Sequence, residues 1–354
     1  MRLSSIQASF PENCQRSDPA TRPLMATTLT SDASIIVPLE EDAEDHLTPG
    51  KPVLHDPIGR PPECDRGKIV WGYVIGFSAF HLMLLLALVP WLFSWTGLIL
   101  IPVGNYIFCS LGIGAGYHRL LTHRSYRCPR WVEHTLALLG VCTLMEGPVR
   151  WVMTHRIHHQ NSDHTSDPHS PLVTWFWGHM GWLLIENRQL NCLSSYERYA
   201  RDLLQDRLYL RLERKYFWVW VYAFHAVLFY LAGLAVGWAF TGQMMGGVQF
   251  GLSLLVYGVV FRTVYSWHVT WGVNSIAHMW GYRNYETNEN SRNNWFFGLA
   301  TNGDGWHNNH HADPRSAAHG FAKWWELDVT YLTLCLMQKV CLVYDLVPRR
   351  RKPT

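Results

Sequence analysis

IVWGYVIGFSAFHLMLLLALVPWLFSWTGLILIPVGNYIFCSLGIGAGY, Ile69 to Tyr117, contains no Asp, Glu, Lys or Arg. A membrane-crossing helix needs about 20 apolar residues, so this run is long enough for two. Pro90 and Gly97 bracket the turn between them. Tyr216 to Phe261 repeats the pattern and turns at TGQMMGG, Thr241 to Gly247. The alternative, very hydrophobic helices buried in a soluble protein, fits such lengths poorly. The expected fold is an all-α membrane protein with four transmembrane helices in two hairpins, near residues 69–89, 98–117, 217–238 and 249–279.

Outside these runs the chain divides readily. Residues 1–66 are rich in Pro, Ser, Thr and acidic residues, do not read as a secretory signal, and are expected to be a disordered extension. Residues 118–215 and 280–348 are expected to form one helical cap, with a basic tail at 349–354. Within the cap, Thr135–Met145 and Leu172–Ile185 are too short to span and read as interfacial or re-entrant helices. Trp175, Trp177 and Trp182 suggest the headgroup belt. The segment 186–215 reads as a water-facing helix whose basic residues suit an anionic headgroup or carrier. The stretch from Phe321 to Val347 is expected to pack on the cap or lie at the interface.

Neither turn carries Lys or Arg, so the positive-inside rule places the cap and both termini in the cytoplasm. Arg262, deep in the fourth helix, should face the bundle interior, because a charge in lipid is costly. Overall the 354 residues are 48% hydrophobic and only 16% charged, against the usual quarter. A net charge of +3 gives no reason to expect a nucleic-acid partner. The eight Cys form no CxxC pair, which removes the sequence signal for a thiolate metal site.

Histidine is the outlier, at 19 residues. HRLLTH holds His118 and His123, HRIHH holds His155, His158 and His159, and GDGWHNNHH holds His307, His310 and His311. His278 follows Asn274 by one helical turn at the cap end of the fourth helix. Nine imidazoles at one end of four spans exceed the needs of one metal ion, and two metals use them naturally. Asn274 suits a bound water. Asp163 and Asp167 are placed to fix imidazole tautomers from behind. Structural zinc prefers four ligands, often Cys, so two irons suit the set better, although ligand type leaves other metals open. Such a centre against a membrane suits oxidation of an acyl chain with O2, chemistry that ordinary acids and bases cannot supply. With no GxGxxG fingerprint, the electrons should come from a partner.

GAGYHRLLTHRSY, THRIHHQNSDHTSDPHSP, WGVNSIAHMWGYRNY and NGDGWHNNHHADP together resemble the membrane fatty acid desaturases that introduce a first double bond at the ninth carbon, on acyl-CoA or on acyl-lipid. The resemblance runs from about Val70 to Pro314. It implies that the nine histidines are direct ligands of two irons, with Asn274 acting through water. It also implies a saturated palmitoyl or stearoyl chain on CoA or lipid, O2, and electrons from a cytochrome b5 or ferredoxin-type donor. No HPGG-type haem motif is present, so the donor is expected to be a separate protein. Asp304 departs from the family pattern, in which Glu is commoner, and a contact behind the ligands is expected to be re-routed there. The acyl tunnel is expected beside the second helix, with Gly114 and Tyr106 lining it and Tyr106 limiting chain length. A di-iron hydroxylase of acyl chains, alkanes or sterols is the nearest alternative reading. A membrane transport or metal-binding protein is the alternative from another class.

Overall fold

The computed structural model describes residues 57–350. Most of the expected N-terminal extension and the end of the basic tail lie outside the described residues. Where the description begins, the chain already has structure. Strand β1 (Cys64–Ile69) pairs antiparallel with β2 (Ile185–Asn187). The expected boundary at residue 66 thus falls inside a strand. This ribbon is the one sheet among the described residues, and everything else is helix or loop.

Four helical segments are long and apolar enough to cross a membrane: Trp71–Leu88, Trp95–Thr122, Arg207–Thr241 and Met244–His278. The first span is helix α1 (Trp71–Met83) extended by a 3-10 turn, and Pro90 opens the link beyond it. The second opens as α2 (Trp95–Gly104), capped by Ser94 Oγ, which accepts from Gly97 N at 2.9 Å. It then widens into a π-helix over Asn105–Thr122. Helices α3 (Arg130–Val141) and α4 (Pro148–Asn161) follow in the cap. The third span is mostly α5 (Phe217–Thr241). The fourth is α6 (Met244–Ser253), a π segment Leu254–Phe261, and α7 (Arg262–Ser275), closed by a 3-10 turn that ends at His278. The C-terminal part of the cap adds α8 (Trp295–Ala300), α9 (His307–Ala312) and α10 (Val329–Lys339).

The spans are not equivalent. Only 6% and 17% of the first and third are buried within the protein, against 56% and 44% of the second and fourth. The outer pair therefore presents apolar side chains such as Ile75, Leu82, Phe224 and Leu231 outward, where lipid replaces water. The inner pair carries His118 and His278 toward the cap. Close approach is bought with small residues: Gly112 of the second span lies directly on the backbone of Gly140 in α3, where a Cβ has no room.

Arg262 sits as its position in the sequence suggested, fully buried. Its Nε donates to Gly258 O and its Nη1 to Cys142 O, each at 2.9 Å, and its guanidinium lies 4.4 Å from the Phe108 ring centroid. Two expectations change. Of the three tryptophans read as a headgroup belt, only Trp175 is exposed, whereas Trp177 and Trp182 are in the core. The segment expected to be a single water-facing helix is several short ones, Leu193–Tyr199, Arg201–Leu204 and Arg207–Glu213, which bury Tyr196, Leu203, Tyr209 and Leu212 beneath their charged faces. A long polar segment can pack a core once turns let every third or fourth residue point inward.

Candidate metal centre and acyl cavity

The spacing of each histidine motif matches the helix that carries it. His155, His158 and His159 lie on α4, and His307, His310 and His311 on α9, so offsets of three and four project the imidazoles from one face. His118 and His123 are five apart, an offset that an α-helix would splay. The second span solves this in its π register, where His123 N donates to His118 O at 3.1 Å. Their ring centroids are then 5.0 Å apart.

The nine imidazoles fall into two groups. His118, His123, His155, His159 and His310 form one; His158, His278, His307 and His311 form the other. Within each group one nitrogen per ring lies within 4.8 Å of all the rest. Neighbouring Nε2 atoms stand 3.0–3.1 Å apart: His118 to His310, His310 to His159 and His159 to His155 in the first group, and His278 to His307 to His311 in the second. Nitrogens about 2.1 Å from a shared metal ion subtend about this separation. His123 Nε2 and His158 Nε2, one in each group, are buried and have no hydrogen-bond partner. An orphaned buried nitrogen is costly unless something binds it. Both groups therefore fit metal ions.

The far sides of the rings are held by carboxylates. His158 Nδ1 donates to Asp167 at 3.0 Å and His278 Nδ1 donates to Asp163 at 2.9 Å. Asp304 Oδ1 accepts from His319 Nδ1 at 3.1 Å and from Arg119 Nη2 at 3.2 Å, and stands 3.6 Å from His118 Nδ1. These contacts set each ring so that Nε2 faces the cluster. Burial, with the neighbouring imidazoles adding to it, pushes His123, His155, His159, His307, His310 and His311 well below the ordinary histidine range. They are neutral at physiological pH, the form that ligates metal. Burial alone would raise Asp163 and Asp167, but the facing imidazoles hold both below the usual carboxylate range. Asp304 is held well below it by His118, His319 and Arg119.

A cavity opens beside both groups. His118, His155, His307, Asp304 and Asn274 line its polar end, and Phe77, Cys109, Ile113, Leu144, Trp271 and Val273 line its apolar wall. Asn274 is half-buried one turn before His278. Two residues expected on the tunnel wall, Tyr106 and Gly114, have other close neighbours. Tyr106 bonds Thr333 Oγ1 at 2.6 Å, and Gly114 backs onto Asp304, where a Cβ would lie 3.0 Å from Oδ2. The second span also changes register here. In an α-helix the residue beneath His118 is four back, Gly114. The π-helical bonds join residues five apart, which puts Ile113 one bond back from His118, and Ile113 and Cys109 line the cavity.

Sequence reasoning missed several participants. His169 lies 4.3 Å, centroid to centroid, from His158, and His319 lies 4.4 Å from His310. Both are fully enclosed, and burial pushes His169 down to about 3 and His319 to about 4. His169 could have been found from its place in NSDHTSDPHSP, two residues after Asp167. Glu289 approaches His278 and His311 at 3.8 and 3.7 Å, and no local motif announces it.

The fold and the site define a multi-pass membrane protein whose histidine clusters can hold metal ions beside an apolar cavity. Residues 89–331 match the fatty acid desaturase family model, and the chain belongs to that family. It is 38% identical over 288 residues to an sn-2 palmitoyl-lipid 9-desaturase of Nostoc sp. (strain 36), covering 81% of this chain and 93% of the relative. It is 37% identical over 273 residues to an sn-1 stearoyl-lipid 9-desaturase of Anabaena variabilis, covering 77% and 92%. An acyl-CoA 5-desaturase of Anemone leveillei is also 37% identical, over 274 residues, covering 77% and 78%.

Proposed function

We propose that this protein is an oxygen-dependent acyl desaturase that places a cis double bond at the ninth carbon of a saturated palmitoyl or stearoyl chain. The observation that carries the reading is the cavity itself, apolar along the second and fourth spans and ending on imidazoles of both groups. Similarity to lipid 9-desaturases supports the regiochemistry, and their substrates favour a lipid-linked chain over acyl-CoA.

Two irons, one per histidine group, would supply the oxidising power that removes two hydrogens from an unactivated chain, drawing on O2 and two electrons. In balance, the saturated chain, O2, two electrons and two protons give the alkene and two waters. The nine histidines are the proposed direct ligands, five on one iron and four on the other. Asn274, on the helix that leads to His278, would complete the smaller set through a water. Asp163, Asp167 and Asp304 hold the rings from behind. Phe77, Ile113 and Trp271 exclude water and keep the chain extended past the histidines. The electrons come from a separate cytochrome b5 or ferredoxin-type donor. The four spans form two hairpins, and the histidines face the cytoplasm.

The test is expression in a host with a defined fatty-acid profile, with double-bond position read by mass spectrometry of disulfide adducts. Lipid and acyl-CoA pools are sampled separately over time. A cis ninth-carbon monoene appearing first in lipid is expected. A hydroxylated chain in its place would establish the hydroxylase alternative and sink the proposal.

A further inference from the structure

Tyr106 lies eleven residues past Trp95, which opens the second span. At 1.5 Å per residue that is a climb of about 16 Å. Trp91, Phe93 and Trp95 are exposed around the turn below, as aromatic residues are at a membrane surface. In a hydrocarbon core about 30 Å thick, Tyr106 is well inside. Yet its hydroxyl is hydrogen-bonded to Thr333 Oγ1, in α10, a helix that follows the last span by some fifty residues.

Neighbouring bonds repeat this relationship. Asn105 Nδ2 donates to Ala300 O at 3.2 Å, at the end of α8, and Asn302 Nδ2 donates to Ser110 Oγ at 2.7 Å. Thr330 N then donates to Asn302 O at 2.9 Å, which ties α10 to the same level. Two helices of the cap are thus hung on the second span at a depth that belongs to lipid.

Their outer faces agree. In α10, Thr330 and Leu334 are buried toward the span, while Leu332 and Leu336 point away, with 47% and 62% of their surfaces uncovered, and Val340 continues the stripe at the same spacing. On α8, Trp295 and Phe296 are exposed in the same way. Lys339, in the last turn of α10, can bury its stem and keep its ammonium at the surface. An amphipathic helix of this kind lies with its apolar face about 5–10 Å below the headgroups.

We propose that α10, with α8 beside it, is a half-inserted membrane helix seated in the acyl region of the leaflet on the histidine side, and that lipid tails cover its Leu332–Leu336–Val340 stripe. The inference rests on the four spans and not on the reaction. It also links lipid to the centre: Asp328, which caps α10 through Tyr331 N, accepts from Arg119 Nη2 at 3.0 Å, next to His118 in sequence.

The test uses the full chain, one copy per lipid nanodisc, with a phosphatidylcholine that carries a diazirine in its acyl chain. After illumination, adducts are mapped by peptide mass spectrometry. Adducts across 329–340 should reach within about twofold of those on the Ile75–Leu82 face of the first span. An unlabelled α10 beside a labelled first span would overturn the proposal. So would cross-links from this stripe to a second copy of the chain in discs loaded with two, accompanied by loss of the lipid adducts, because another subunit would then be the occupant.

Discussion

Asp163 accepts the Nδ1 proton of His278 at 2.9 Å, although 115 residues separate them in sequence. The carboxylate is saturated by further donors, Asn290 N at 2.8 Å and Ser170 Oγ at 2.8 Å, and its backbone sits at φ 60°, in the left-handed region. A residue held that firmly fixes the direction of His278 Nε2. Asp163→Asn keeps the size but weakens the acceptor. Partners of this kind are worth about 10–100-fold in metal affinity. Asp163→Asn should therefore lose metal from the four-histidine group and leave the five-histidine group loaded, as read by elemental analysis of the purified protein. Wild-type metal content and turnover in this variant would remove Asp163 from the role.

The division into two groups makes a second expectation. His310→Ala should empty the five-histidine group and His307→Ala the four-histidine group, each ending desaturation. In the proposed reaction both groups act together, so the double variant should be no less active than either single one. Metal content and iron spectroscopy separate the cases. A His310→Ala protein with both ions and full activity would overturn the ligand assignment.

How much of this was legible in the sequence follows from range. The spans were, because an uncharged run is a local property, and so were the histidine motifs. The carboxylates Asp163 and Asp167 were nameable because they lie within nine residues of His158. Which histidines come together was not, since His118 joins His310 and His158 joins His278 only through tertiary packing. The register of the second span was not legible either. A π-helix looks like an α-helix in composition, although its hydrogen bonds join residues five apart and not four. Trp177 and Trp182 were misread because tryptophan serves the interface and the core alike.

The register shift can be tested directly. Tyr106→Phe removes the bond to Thr333 and should cost about 1 kcal/mol of stability without altering the chain lengths of the products. Cys109, on the apolar wall, is the sensitive position. Cys109→Phe adds bulk to the cavity and should shift the product ratio from eighteen carbons toward sixteen by severalfold, measured by gas chromatography of methyl esters. If Tyr106→Phe shifts the ratio and Cys109→Phe does not, the wall lies where α-helical spacing would have put it.

Asp304 tests how tightly the carboxylates behind the rings are fitted. Its Oδ1 serves His319 and Arg119, and its Oδ2 lies 3.0 Å from the space a Cβ on Gly114 would take. Arg119 is fully buried and divides its charge between Asp304 and Asp328. Asp304→Glu keeps the charge but adds a methylene to a closely packed site, and overpacking costs about 1–3 kcal/mol. Asp304→Asn keeps the volume and leaves buried Arg119 paired with Asp328 alone, a loss of about 1.5–3 kcal/mol, the usual worth of a hydrogen bond to a charged group. Both variants should therefore melt below the unsubstituted protein, and the lower of the two shows whether charge or packing matters more. Thermal unfolding of both in one detergent decides it. If Asp304→Glu melts lower, packing against Gly114, and not the charge on Arg119, is what Asp304 chiefly serves.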